Sequence, residues 1–193
     1  MTGISLAKGT SLSLTKTAPT LQIARLGLGW DAVPKKKLFG FSSGGDVDLD
    51  ASAIMFDSSG KDVDTVYYGR LLSHDGSVQH SGDNLTGEGD GDDEVITVNL
   101  RSVSANIKTI VFVITSYSGQ KFNEVKNVFA RVSDGVSGQE TVRYNLAESS
   151  DATGLVIAKL TRADNGWDFT AIGEFVTAAR TPNKMVAPAA RFV

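Results

Sequence analysis

No cysteine occurs in the 193 residues, which excludes disulfide bonds, thiolate zinc centres and thiol redox chemistry by this chain alone. Histidine is nearly absent. His74 and His80 flank an Asp75-Gly76 turn signal, a setting that predicts solvent exposure rather than catalysis or metal ligation. No run approaches the roughly 20 apolar residues of a membrane helix. The opening MTGISLAKGTSLSLT lacks the charged start and unbroken apolar stretch of a signal peptide, so the expectation is a soluble, cytoplasmic protein. A basic stripe with interleaved aromatics is also missing, which argues against nucleic acid as a partner.

Basic residues are scarcest where acidic ones crowd. Between Asp46 and Glu94 stand thirteen acids against Lys61 and Arg70, a local charge of −11, so the remainder carries +8 to reach the net −3. Like charges at that density oppose compaction unless something compensates within about 8 Å, the screening length at physiological salt.

Period-2 alternation is abundant. SLSLT, IARLGLGW, DVDLDASAIMF, DTVYYGRLL, EVITVNL, TIVFVITSY, VFARVSD, TVRYNL, LVIAKLT and WDFTAIGEF all read as strands rich in β-branched or aromatic residues. Turn signals fall at Asp57-Ser58-Ser59-Gly60, Asp75-Gly76, Asp134-Gly135 and Asn165-Gly166. The fold class is all-β: one antiparallel β-sandwich of two sheets with a few short helical turns. Those turns are expected near Ser102 to Asn106, near Ala147 to Asp151 and after Phe122. TIVFVIT is apolar on both faces and is placed centrally. The domain is expected over 1–176, with 177–193 an irregular tail.

Two acidic blocks carry the chemistry. In DVDLDAS, alternation puts Asp46, Asp48 and Asp50 on one face and Val47, Leu49 and Ala51 on the other. Successive carboxylates on a strand are about 7 Å apart, too far for three to grip one ion without help from another segment. The spacing suggests an EF-hand loop, but Ala51 stands where that loop needs glycine and Asp57 where it needs glutamate. The second block, GDNLTGEGDGDDE from Gly82 to Glu94, sets glycines at 82, 87, 89 and 91 among six acids. Glycine lets carbonyls and carboxylates turn toward one point, and a set made wholly of oxygen donors suits calcium better than magnesium or a transition metal. The plain alternative is a solvated hairpin connection.

GLGWD at 27–31, DVDLDASAIMFD at 46–57, HSGDNLTGEGDGDDE at 80–94 and IVFVITSY at 110–117 together resemble the TerD family of tellurite-resistance and stress proteins. The resemblance continues through FNEVKNVFARVSD, ETVRYNL and WDFTAIGEF to about Phe175. It implies a calcium-binding β-sandwich, with about two Ca2+ at an acidic surface, that is not an enzyme. By motif match the candidate ligands are the side chains of Asp31, Asp46, Asp48, Asp50, Asp83, Asn84, Asp90, Asp92, Asp93 and Glu94, with the carbonyls of Gly87 and Gly89. Expected partners are calcium ions and other stress-response proteins, membrane-associated ones included. With no thiol, the chain is not expected to reduce tellurite itself.

A glycosidase would need one carboxyl set apart in an apolar environment, and the blocks single none out. The run Pro34-Lys35-Lys36-Lys37 reads as a solvated loop able to touch anionic lipid. It keeps open a second reading, a calcium-dependent membrane or partner docking module.

Overall fold

The computed structural model describes residues 3–32, 48–82 and 91–193. Their strands, in chain order, are β1 (Ile4–Leu6), β2 (Ser11–Ser13), β3 (Ile23–Ala32), β4 (Leu49–Phe56), β5 (Asp62–Val66) and β6 (Val78–His80). There follow β7 (Glu94–Asn99), β8 (Thr109–Ser116), β9 (Val125–Asp134), β10 (Glu140–Asn145), β11 (Gly154–Ala163) and β12 (Gly166–Val176). They form two six-stranded sheets, β1-β10-β9-β3-β7-β6 and β2-β12-β11-β8-β4-β5. Every neighbouring pair is antiparallel except β1 with β10. The sandwich read from alternation is therefore what forms, and the ten segments quoted above all contain strand. The three-residue β1 and β6 are too short for a periodic signal.

Alternation decides what each sheet buries. Leu26, Leu28 and Trp30 of β3 and Ile96 and Val98 of β7 face Ala51, Ala53 and Met55 of β4 and Ile110, Phe112 and Ile114 of β8 across the sandwich. TIVFVIT takes the central position expected of it, with all eight residues of β8 buried. Its other face, Val111 and Val113, joins Ile54, Phe56 and Val156 in a second apolar layer outside the second sheet.

That layer is covered by the chain's end, where the sequence reading is corrected. The stretch expected to be irregular contains helix α2, Pro182–Ala190, with Met185 and Ala189 wholly buried against the sheet. Pro182 stands in the first turn, where proline is tolerated, and Met185, Val186, Ala189 and Ala190 recur at helical spacing. Lys159 Nζ donates to the Phe192 carbonyl at 2.6 Å, placing a cation at the negative end of the helix. Among the other described residues helix is slight: α1 (Leu14–Thr17) and a one-turn 3-10 helix at Phe122–Glu124. The latter fits the expected turn after Phe122. Ser102 to Asn106 holds hydrogen-bonded turns only, and 147–151 is not helical.

The Asp75-Gly76 turn is held by its own acid. Burial pushes the Asp75 carboxyl up, but hydrogen bonds from the Ser77 and Ser73 hydroxyls and from the Ser77 and Ser104 amides together bring it down to about 2.

Pairing registers bring several strand ends together. Leu28 lies opposite Glu94, Ala32 opposite Val125, His80 opposite Ile96 and Leu49 opposite Ser116. Both acidic blocks thus enter the described structure at one end of the sandwich.

Candidate functional site

The four residues that close the acidic loop, Gly91 to Glu94, are fixed at several points. The Asp93 amide donates to the Leu28 carbonyl at 2.9 Å, continuing the β3–β7 ladder by one step. The Asp93 carboxylate accepts the Trp30 amide at 2.7 Å. Glu94 lies on the inward side of β7, fully buried, and its Oε2 accepts the Ala51 amide at 2.6 Å. This carboxylate crosses the sandwich and ties the two sheets together.

Asp92 turns to the outer face of the first sheet. Arg131, on β9, grips it with a two-pronged pair: Nε to Oδ1 at 2.7 Å and Nη2 to Oδ2 at 3.1 Å. Arg131 also donates from Nη1 to Glu140 at 3.1 Å, and Glu140 in turn holds Arg143. Gly27 of GLGWD makes room for this pair, and Gly29 makes room for the Phe129 ring beside it. A Cβ on Gly27 would stand 2.1 Å from the Asp92 carboxyl carbon, and one on Gly29 would stand 2.3 Å from the Phe129 ring. Glycine within a strand marks such a close approach.

Asp31 is the last residue but one of the same strand, exposed, with its Oδ2 accepting from Asn127 Nδ2 at 2.5 Å. Asn127 has φ +51° and sits in a bulge, since Gly29 pairs with Phe129 while Asp31 pairs with Lys126. Asparagine is among the residues that tolerate that left-handed conformation. Asp48 is half-buried and Asp50 buried. Asp50 shares the outward side of β4 with Ile54 and Phe56, while Leu49 and Ala51 face the core, the two-faced arrangement read from the sequence.

The histidines part company. His74 is exposed, as expected, and its ring meets Asp64 and Arg70. His80 is buried, which corrects the expectation of solvent exposure. Its Nδ1 accepts the Gly82 amide at 3.0 Å, so Nε2 carries the proton and faces the Ala51 carbonyl at 3.2 Å and Glu94 Oε2 at 3.3 Å. Alternation along β6 puts His80 on the same inward face as Val78, with Gln79 exposed between them, and a three-residue strand is too short for that period to stand out in the sequence.

Of the twelve candidates, Asp46, Asp83, Asn84, Gly87, Gly89 and Asp90 lie outside the described residues, as does Pro34-Lys35-Lys36-Lys37. Among the described residues no three His, Asp or Glu groups converge closely enough to hold an ion. The charge is nevertheless concentrated. Burial pushes the Asp93 carboxyl up, and the neighbouring charges of Asp31, Glu94 and Asp92 push it further, against the Trp30 hydrogen bond. An all-oxygen, acid-rich surface of this kind fits a hard cation.

The TerD domain family matches residues 1–179. This chain belongs to the TerD family. Among TerD relatives, tellurium resistance protein TerZ of Serratia marcescens is 49% identical over 172 residues, covering 88% of this chain and 89% of the relative. General stress protein 16U of Bacillus subtilis is 44% identical over 178 residues, covering 88% and 89%. A crystal structure of a TerD homologue from Streptomyces coelicolor superimposes with a TM-score of 0.67 at 22% identity, covering 86% of this chain and 95% of that one. It shows the same fold. Within this TerD sandwich, sequence reasoning passed over Arg131 and placed His80, which is buried, in solvent. The Gly27-x-Gly29 pair on a strand was the available signal for the former, because two glycines on one strand face predict that something lies across it.

Proposed function

We propose that this chain is a calcium-binding, stress-responsive module of the tellurite-resistance type, cytoplasmic and not an enzyme. The observation that carries the reading is Asp93: a carboxyl raised by burial and then by three surrounding acids, at the end of the sandwich where both acidic blocks enter. Asp31, Asp48, Asp50 and Asp93 would hold calcium there, together with Asp46, Asp83, Asn84, Asp90 and the Gly87 and Gly89 carbonyls. Calcium when bound supplies positive charge that offsets the carboxylate repulsion and accepts further oxygen donors from a partner. Asp92 and Glu94 are already engaged by Arg131 and by the Ala51 amide, and they serve the site by fixing the limb that carries Asp93. The absence of cysteine means that a role in tellurite resistance runs through partners rather than thiol reduction.

The expected result in thermal melting is a higher midpoint in millimolar calcium than in chelator. At 100 times the dissociation constant, one independent site adds about 2.7 kcal/mol. An unchanged midpoint counts against the proposal.

A second reading, calcium-dependent docking to a membrane or protein with no direct part in tellurite resistance, is favoured by one observation. Tyr117, 59% exposed, directly follows the Ser116–Leu49 pair beside Asp48 and stacks edge-on with Tyr68, while Leu71 and Leu72 are exposed near His80. Exposed aromatics beside an ion site suit a membrane or protein interface.

A further inference from the structure

We propose that Arg131 is a positioning residue for the acidic end: it clamps Asp92 across Gly27, making Asp92 an anchor rather than a calcium ligand, and so sets where Asp93 presents its carboxylate. The inference rests on the calcium reading for its consequence, but its geometry is independent of it. Gly27 pairs directly with Arg131 on β9 and with Val95 on β7. Arg131 therefore reaches Asp92 over the one residue in that row without a side chain. Both Asp92 oxygens are taken by the guanidinium, at 2.7 and 3.1 Å, in the planar two-pronged geometry that lysine cannot reproduce. The pair is largely shielded, with side-chain exposures of 28% for Arg131 and 15% for Asp92. Glu140 braces Arg131 from the far side at 3.1 Å. One residue on, Asp93 crosses to the Leu28 carbonyl and the Trp30 amide, so the direction of its carboxylate depends on where Asp92 is held.

Two variants separate this from the alternatives. Arg131→Ala removes a cation beside an acidic site and frees a carboxylate. Coulomb attraction alone, or Asp92 acting as a ligand, then predicts tighter calcium binding, and the anchor predicts weaker. Gly27→Ala removes no charge and no ligand. Gly27 does not have a positive φ, so the added methyl acts through its collision with the Asp92 carboxylate.

The experiment is calcium calorimetry on the full-length wild type and both variants, with amide hydrogen exchange in chelator. The expected result is calcium binding at least tenfold weaker in each variant, with faster exchange at the Asp93 amide and unchanged exchange across Thr109–Ser116. Affinity kept or raised in Arg131→Ala, or loss there without loss in Gly27→Ala, overturns the proposal. A wild type that binds no calcium overturns the calcium reading instead. Exchange at Asp93 then decides the anchor alone: faster in both variants upholds it, unchanged in either overturns it.

Discussion

Glu94→Ala is expected to destabilise the protein in chelator by about 3 kcal/mol, whatever its effect on calcium. Glu94 is fully buried, and its Oε2 accepts the Ala51 amide of the opposite sheet at 2.6 Å with His80 Nε2 at 3.3 Å. Alanine leaves the Ala51 N–H without this acceptor, at about 1–3 kcal/mol, and leaves a cavity where the side chain stood, which adds to the loss. Glu94→Gln keeps a carbonyl acceptor of the same reach and is expected to lose no more than about 1 kcal/mol. Urea denaturation of the three proteins measures both. Equal stability of Glu94→Ala and wild type would show that the tie between the sheets contributes nothing.

Deleting residues 180–193 is expected to cost about 4 kcal/mol or more and to make the protein self-associate. The deletion leaves the matched TerD domain, 1–179, intact, but strips α2 from Ile54, Phe56, Val111, Val113 and Val156. Met185 and Ala189 are wholly buried, and losing a side chain of methionine's size from a packed interior typically costs about 2–5 kcal/mol. Val186, Ala190 and Phe192 add partial burial, and an exposed apolar sheet face of this extent favours association. Denaturation and sedimentation of the truncated chain test this together. A stable monomer would make α2 an accessory rather than part of the core.

The sandwich was legible because most strands are long enough to show their period and because their turns carry Asp-Gly and Asn-Gly. TIVFVIT announced its central position by having no polar face. α2 was misread because Pro182 and Pro188 suggested a break, while Met185, Val186, Ala189 and Ala190 already had helical spacing. Its packing decided the outcome rather than its intrinsic propensity. In the site, the acid-rich blocks were readable as composition, and alternation correctly put Asp50 opposite Leu49 and Ala51. What each carboxylate does was not readable, because it depends on residues remote in sequence. Arg131 lies 39 positions from Asp92, and Ala51 lies 43 from Glu94. Six neighbouring acids that look equivalent in GDNLTGEGDGDDE include an anchor, Asp92, and a tie between the sheets, Glu94.

That division sharpens the central test, a calorimetric titration of calcium into the full-length chain and into Asp93→Asn. Asparagine keeps an acceptor for the Trp30 amide, so the fold is retained while the charge at the crowded carboxyl is removed. The expected result is saturable uptake of about two calcium ions by the wild type, with affinity at least tenfold weaker, or one ion fewer, in Asp93→Asn. No saturable binding by the wild type at millimolar calcium, or identical isotherms for the two proteins, would contradict it.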